Sequence, residues 1–335
     1  VCGPCYTDSA MKVRCAVVGL GRIGSTLEKD TLREKPCTHT GAIIDNPDCI
    51  LTSGADIDAE ARRRFQEDWE GSIPVYHNTE ALLEAETPDL LIAATPSETH
   101  RRIVEGAAAA GVPVIICEKP LAHTLRDARA IARIHTSGKA RILVNHERRY
   151  SADYQLVRRD IAAGKYGRLL SVHAVLYFGR SSAHRDVLLH DGTHLVDIIN
   201  YLTGSRCVLS RRFGSMRGRR SSAYLFGRAG EVPVTIDVGA ERDHLVFEVQ
   251  LSFEEGRIRV GNGVLEYEAS RPSPFYEEYR SLLPDQAPRI EKTGFFANML
   301  ADAVRCVREP DYQPVSSAAD ALEVMRFIRS MRAWI

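Results

Sequence analysis

The chain has 335 residues, enough for about two domains of ordinary size. Lys plus Arg and Asp plus Glu both number 44, so the formal net charge is zero, which argues against a bulk electrostatic partner such as nucleic acid or an anionic membrane. No apolar run approaches the ~20 residues of a membrane span; the longest, Ala107 to Cys117, is interrupted by Gly111 and Pro113.

In chain order, residues 1–10 read as a disordered leader. Its Cys2-Gly-Pro-Cys5 has redox-motif letters but no preceding strand. Val13 to Val18 is a strand, and a helix is expected from Ile23. Strands follow at Ile50–Ala55, Leu90–Ala94, Pro113–Cys117 and Ala140–Val144, alternating with helices at Asp58–Trp69, Glu98–Ala110 and Leu125–His135. Short strands that are apolar on both faces and alternate with helices describe an α/β, doubly wound parallel sheet over residues 11–145.

The rhythm changes after residue 145. Helices are expected at Ala152–Ala163 and His190–Leu202, and a long strand at Leu169–Phe178. Strands then follow in a row at Cys207–Phe213, Ser222–Phe226, Val232–Val238, His244–Phe253, Arg257–Val260 and Val264–Tyr267. Leu245, Phe247, Val249, Leu251 and Phe253 alternate with polar residues, as expected of an antiparallel sheet covered on one face. Two helices, Phe295–Arg308 and Ser317–Trp334, end the chain. Residues 146–335 therefore read as an α+β domain with a large open, mainly antiparallel sheet, suited to binding substrate and to oligomerisation. The clusters Arg62–Arg64 and Arg217–Arg220 read as solvated faces. Eight scattered cysteines and no secretory signal lead to the expectation of a reduced, cytoplasmic protein.

The segment Val17-Val-Gly-Leu-Gly-Arg-Ile-Gly24 directly follows the first strand. Gly19 would allow the tight turn, Gly21 the close approach of a pyrophosphate, and Gly24 the packing of the following helix. Arg22 and Ile23 would open that helix toward the phosphates. Asp56, ending the second strand, can accept hydrogen bonds from both ribose hydroxyls and would repel a 2′-phosphate, which favours NAD over NADP. It lies further from the glycines than the usual about 20 residues, as expected if residues 30–49 contain an insertion; a simple strand-end role is the alternative. Thr95, Pro96 and His100 belong to a strand-to-helix turn placed to underlie the nicotinamide ribose, or to an ordinary turn capped by Ser97. Glu118 and Lys119 end another apolar strand, where a lysine ammonium can polarise a hydroxyl or carbonyl. His190, His194 and Asp197 share one helix face, and a histidine can shuttle a proton near neutral pH with a carboxylate orienting its ring. The same His spacing suits zinc, but no Glu follows His190 as a metalloprotease would require, so no metal is assigned.

Taken together, these motifs, with Asn145-His-Glu-Arg-Arg-Tyr150 and Tyr201-Leu-Thr-Gly204, resemble the glucose–fructose oxidoreductase / inositol dehydrogenase (Gfo/Idh/MocA) family from Met11 onward. The resemblance implies a Rossmann domain plus an α/β domain whose open sheet often forms dimers or tetramers. It implies Lys119 as the catalytic lysine, His194 as the acid–base histidine, and Glu118 near the nicotinamide. Many members have Asp where this chain has His190, so either His190 takes over that supporting role, or the adjacent Asp191 substitutes, or the reaction differs. Arg148, Arg149, Tyr150 and Tyr177 are weaker candidates for substrate contacts. The implied activity is hydride transfer between NAD and a secondary alcohol or ketone of a sugar, sugar derivative or polyol. NAD-assisted oxidation–elimination on a glycoside and a non-catalytic NAD-binding regulatory role are the alternatives.

Overall fold

A computed structural model describes residues 11–69, 73–179, 187, 191–215 and 222–332. The leader, the second basic cluster and His190 lie outside the described residues. The chain forms two compact units. One contains the described residues up to Glu118, with Ala130–Asn145 and Phe296–Ser317. The other contains Lys119–Arg129, His146–Phe295 and the described residues from Ala318 onward. The division is therefore not a single cut at residue 145: a segment after Lys119 groups with the second unit, and a late helix returns to the first.

The first unit is built on six parallel strands: β1 (Val13–Val18), β2 (Cys49–Ala55), β3 (Val75–Tyr76), β4 (Leu90–Ala93), β5 (Val114–Cys117) and β6 (Arg141–Val144). Their order is β3-β2-β1-β4-β5-β6, the doubly wound order expected, with the direction of winding reversing between β1 and β4. Every residue of β4 and β5 is buried, as an apolar strand covered on both faces must be. The connecting helices are α1 (His39–Asp45), α2 (Ala59–Asp68), α3 (Thr79–Ala85), α4 (His100–Ala109) and α5 (Leu125–Thr136). Asp58 caps α2, its side chain accepting the N–H of Glu60 at 3.0 Å.

The expected helix from Ile23 does not run on. The N–H groups of Ser25 and Thr26 both bond to the Gly21 carbonyl, and a short 3₁₀ turn, Thr26–Lys29, follows. The chain then loops out and returns at α1, where the N–H groups of His39 and Thr40 bond to the carbonyls of Ile23 and Gly24 at 3.1 and 3.0 Å. An uninterrupted helix would satisfy those carbonyls with residues four further on. The insertion thus splits one helix in two, and it accounts for the long interval between the glycines and Asp56.

The second unit holds eight strands: β7 (Leu169–Gly179), β8 (Cys207–Gly214), β9 (Ser222–Ala229), β10 (Val232–Arg242), β11 (Val246–Phe253), β12 (Gly256–Gly261), β13 (Val264–Pro272) and β14 (Arg280–Asp285). They are ordered β14-β13-β12-β11-β7-β10-β9-β8, all antiparallel except β7 with β10. Val172, Ala174 and Leu176 on β7, with Val249 and Leu251 on β11, face a buried core shared with α6 (Ala152–Ala162), α7 (Gly192–Thr203) and α9 (Ala318–Arg332). The alternation on β11 starts at Phe247; Leu245 precedes the strand and is exposed. The remaining helix, α8 (Phe295–Arg308), belongs almost entirely to the first unit. Among the described residues, no helix is long and apolar enough to cross a membrane.

The glycines of the β1 turn differ in what they permit. Gly19 has φ +95°, and a Cβ there would lie 2.5 Å from the Ala94 carbonyl oxygen. A Cβ on Gly24 would lie 1.9 Å from the Gly19 carbonyl oxygen, whereas one on Gly21 meets nothing within 4 Å. Gly24→Ala is therefore expected to destabilise the chain by about 1–3 kcal/mol, the range of an overpacked site. Gly21→Ala is expected to stay within about 0.5 kcal/mol of the parent. Urea unfolding of the two variants checks the contrast.

Candidate active site

The carboxyl ends of the parallel strands bring four predicted positions, and Asn145 with them, to one edge. Backbone bonds align them: Gly19 N–H to Ala55 O, Ala94 N–H to Val18 O, Glu118 N–H to Ala93 O, and Asn145 N–H to Cys117 O, all between 2.7 and 3.0 Å. Gly19, Asp56, Thr95, Glu118 and Asn145 consequently leave neighbouring strands at the same level. Asp56 ties this edge together, with Oδ2 accepting the Leu20 N–H at 2.8 Å and Oδ1 the Asp58 N–H at 2.9 Å. Each carboxylate oxygen retains further acceptor capacity. Arg22 is exposed and Ile23 half-buried on the outer side of the turn.

The Thr95-Pro96 turn is held from within. His100 Nε2 lies 2.8 Å from the Thr95 carbonyl oxygen, and the Thr99 hydroxyl bonds to the Thr95 hydroxyl and the Pro96 carbonyl, both at 2.8 Å. His100 has no exposed surface, so its place is beneath the turn rather than against a cofactor. The helix starts at His100 with Thr99 as its boundary residue, not at Glu98 behind a Ser97 cap.

Glu118 is 6% exposed. His39 Nε2, at 2.7 Å, and Asn145 Nδ2, at 2.6 Å, both donate to its Oε1. The His39 ring packs edge-on against Phe296, with centroids 5.3 Å apart. Sequence reading missed His39 altogether and assigned Asn145 no role, because a pair 79 residues apart leaves no local pattern. The Asn145 Oδ1 is buried without a hydrogen-bond partner. That orphan acceptor, the space over Gly21 and the acidic Asp56 fit a dinucleotide whose carboxamide can donate, whose pyrophosphate needs close backbone approach, and whose ribose hydroxyls need an acceptor.

Lys119 follows Glu118 directly and is half-buried. In the second unit, His194 lies on α7, buried, with Nδ1 lacking a hydrogen-bond partner. Burial, followed by the positive charges of Lys119 and Arg148 and the neighbouring His146, pushes the His194 imidazole well below the ordinary value of 6.5. His146, another residue without a predicted role, sits edge-on to His194 at 6.2 Å between centroids.

Asp197 does not orient His194. Arg149 takes it with two hydrogen bonds of 2.8 and 2.7 Å, and His146 Nδ1 lies 3.0 Å from its Oδ1. Burial alone would raise this carboxyl, but Arg149, with His146 after it, more than offsets that and holds it at about 2. The weaker candidates also separate. Arg149 is committed to Asp197, and Tyr150 is buried at 1% exposure. Asp191 is half-buried at the start of α7. Tyr177 points away from the core residues Leu176 and Ala174, so it lies on the opposite sheet face from α7, where its hydroxyl donates to Asp237. Arg148 remains, lying against Phe247 with its guanidinium carbon 3.5 Å from the ring centroid.

Residues 13–146 match the family described as "Oxidoreductase family, NAD-binding Rossmann fold". An inositol 2-dehydrogenase from Acidiphilium cryptum is 28% identical over 221 residues, 64% of this chain and 61% of that protein. The match thus spans under two thirds of the relative's length. Among solved structures, a dehydrogenase from Chromobacterium violaceum superposes with TM-score 0.78 at 17% identity, covering 97% of this chain and 95% of that one. The WlbA dehydrogenase from Bordetella pertussis, in complex with NADH and UDP-GlcNAcA, superposes with TM-score 0.75 at 20% identity, covering 97% of each. At these identities the structural likeness concerns the fold.

Two expectations follow from the buried groups. Arg149→Ala leaves Asp197 charged, buried and without its main partner, and should cost about 3–5 kcal/mol in urea unfolding. His194 contributes an acid-side loss. Its folded-state value lies below its unfolded one, so the unfolded chain binds the extra proton, and stability falls as pH drops below 6.5. His194→Gln should flatten the stability profile there by up to about 1.4 kcal/mol per pH unit.

Proposed function

We propose that this chain, whose residues 13–146 match the NAD-binding Rossmann model of the Gfo/Idh/MocA oxidoreductase family, is a member of that family and an NAD-dependent dehydrogenase acting on a secondary alcohol of a sugar, sugar derivative or polyol. The observation that carries this reading is the aligned strand edge. The glycine turn, Asp56 and the buried Glu118–Asn145 pair offer a dinucleotide its contacts, and Lys119 is the next residue in the chain. Gly19, Gly21 and Gly24 would shape the turn that holds the pyrophosphate, Asp56 would accept from the ribose hydroxyls, and Thr95-Pro96 would contact the nicotinamide end. The bound nicotinamide supplies the hydride acceptor or donor.

The chain's own residues handle the proton. The Lys119 ammonium binds the reacting oxygen and stabilises negative charge that develops there. His194, neutral at pH 7, accepts the hydroxyl proton, as a base held below its ordinary value can do without first losing a proton of its own. Arg149 and His146 keep Asp197 ionised, so Asp197 anchors α7 rather than competing for that proton. Asp56 favours NAD over NADP by charge repulsion.

NADH formation over a panel of inositols, hexoses and their acids tests this reading. Wild type should turn over at least one class. Lys119→Ala should lose about 100-fold or more in kcat/KM, the lower range for positioned acid–base groups; equal turnover would remove Lys119 from the chemistry. Gly21→Val should abolish NAD binding while leaving the unfolding midpoint unchanged. Asp56→Ala should weaken NAD binding by about tenfold, the loss of a hydrogen-bonded charge, without weakening NADP.

A further inference from the structure

We propose that Arg148 is an anion anchor, and that the substrate carries a carboxylate or phosphate in addition to its reacting hydroxyl. The inference rests on the dehydrogenase reading and names its substrate class. Arg148 and Arg149 are consecutive on a 3₁₀ turn, Glu147–Tyr150. Their side chains diverge, because each residue of such a turn rotates by about 120°. Arg149 is spent on Asp197. Arg148 instead lies flat on Phe247, with Tyr154 also beside it at 5.9 Å from its ring centroid.

This placement leaves polar capacity unused. Arg148 Nε and the Tyr154 hydroxyl are both buried; the guanidinium and the hydroxyl are close enough to influence each other, but neither atom meets a partner at full hydrogen-bonding geometry, and Tyr154 is 1% exposed. Among the described residues, Arg148 has no carboxylate partner. Glu248, adjacent to Phe247, alternates to the other sheet face and meets Arg259. Buried orphan donors of this kind cost free energy unless a ligand satisfies them. A planar guanidinium held by an aromatic ring is pre-organised for a bidentate carboxylate or phosphate, and the tyrosine hydroxyl adds a donor.

Position supports the same ligand. Phe247 and α7 belong to one core on one face of the eight-stranded sheet, so Arg148 and His194 share that face. The charge of Arg148 is felt at His194, as is that of Lys119, whereas the Asp197 carboxylate is already balanced by Arg149. An anionic substrate complements this surplus of positive charge.

The test is calorimetric binding, without cofactor, of D-glucuronate, D-galacturonate, the methyl ester of each, and glucose 6-phosphate. The wild type should bind at least one anion about tenfold or more tightly than its neutral counterpart, as expected for a hydrogen bond to a charged group. Arg148→Gln should bring the acid down to the affinity of the ester, and Tyr154→Phe should weaken the acid less. Arg148→Lys, which keeps the charge and the fold, should weaken the acid while leaving the ester unchanged. The glucose 6-phosphate arm distinguishes phosphate from carboxylate. Equal affinity for acid and ester, no binding of any probe, or a preference that survives Arg148→Gln overturns the proposal. Acid preference without NADH formation from any sugar would instead overturn the dehydrogenase reading.

Discussion

Glu118 is a carboxylate buried at the mouth of a parallel sheet, where an uncompensated charge would cost several kcal/mol. Its compensation comes from two donors far apart in the chain, His39 and Asn145, both on Oε1. His39 is itself fixed by its backbone bond to Ile23, and its ring packs against Phe296. One carboxylate thereby couples the glycine turn, the ends of β5 and β6, and α8. The peptide unit that follows leads into Lys119, so the position of the lysine backbone depends on that clamp.

The split helix shows how far sequence reading carried and where it stopped. The parallel sheet was legible because each strand is an apolar run punctuated by Gly, Pro or Asp, and those signals are local. An insertion was inferred from the distance to Asp56. How the chain resumes after it was not, because His39 and Thr40 complete a helix begun at Ile23, and no periodicity spans an excursion of that length. The short elements β3, α3 and β14 passed unnoticed for a related reason: few residues give little periodic signal.

At the site, residue identity was more legible than residue role. His194 and Lys119 emerged from their positions after helix and strand signals, yet the spacing of Asp197 suggested an imidazole orienter. Helical spacing places Asp197 one turn from His194 but cannot show that Arg149, from a different segment, approaches first with a bidentate fork. His100 likewise looked like a cofactor contact because it follows Thr95-Pro96, whereas its complete burial puts it under the turn. The strand alternation that placed Phe247 to Phe253 also applies to β7, and it sends Tyr177 to the face away from the core.

The tandem arginines give the second unit its electrostatic character. A buried Asp197 beside His194 would, if left without partners, favour the imidazolium and oppose its use as a base at neutral pH. Arg149 cancels that influence at close range. Once it is cancelled, burial and the more distant cations dominate, and His194 stays neutral. The same arrangement that makes the histidine a ready proton acceptor leaves the positive charge of Arg148 uncompensated by any carboxylate among the described residues. On the proposed reading, charge balance at Arg148 falls to the ligand, so the neutral state of His194 and the preference for an anionic substrate both trace to where one arginine pair points.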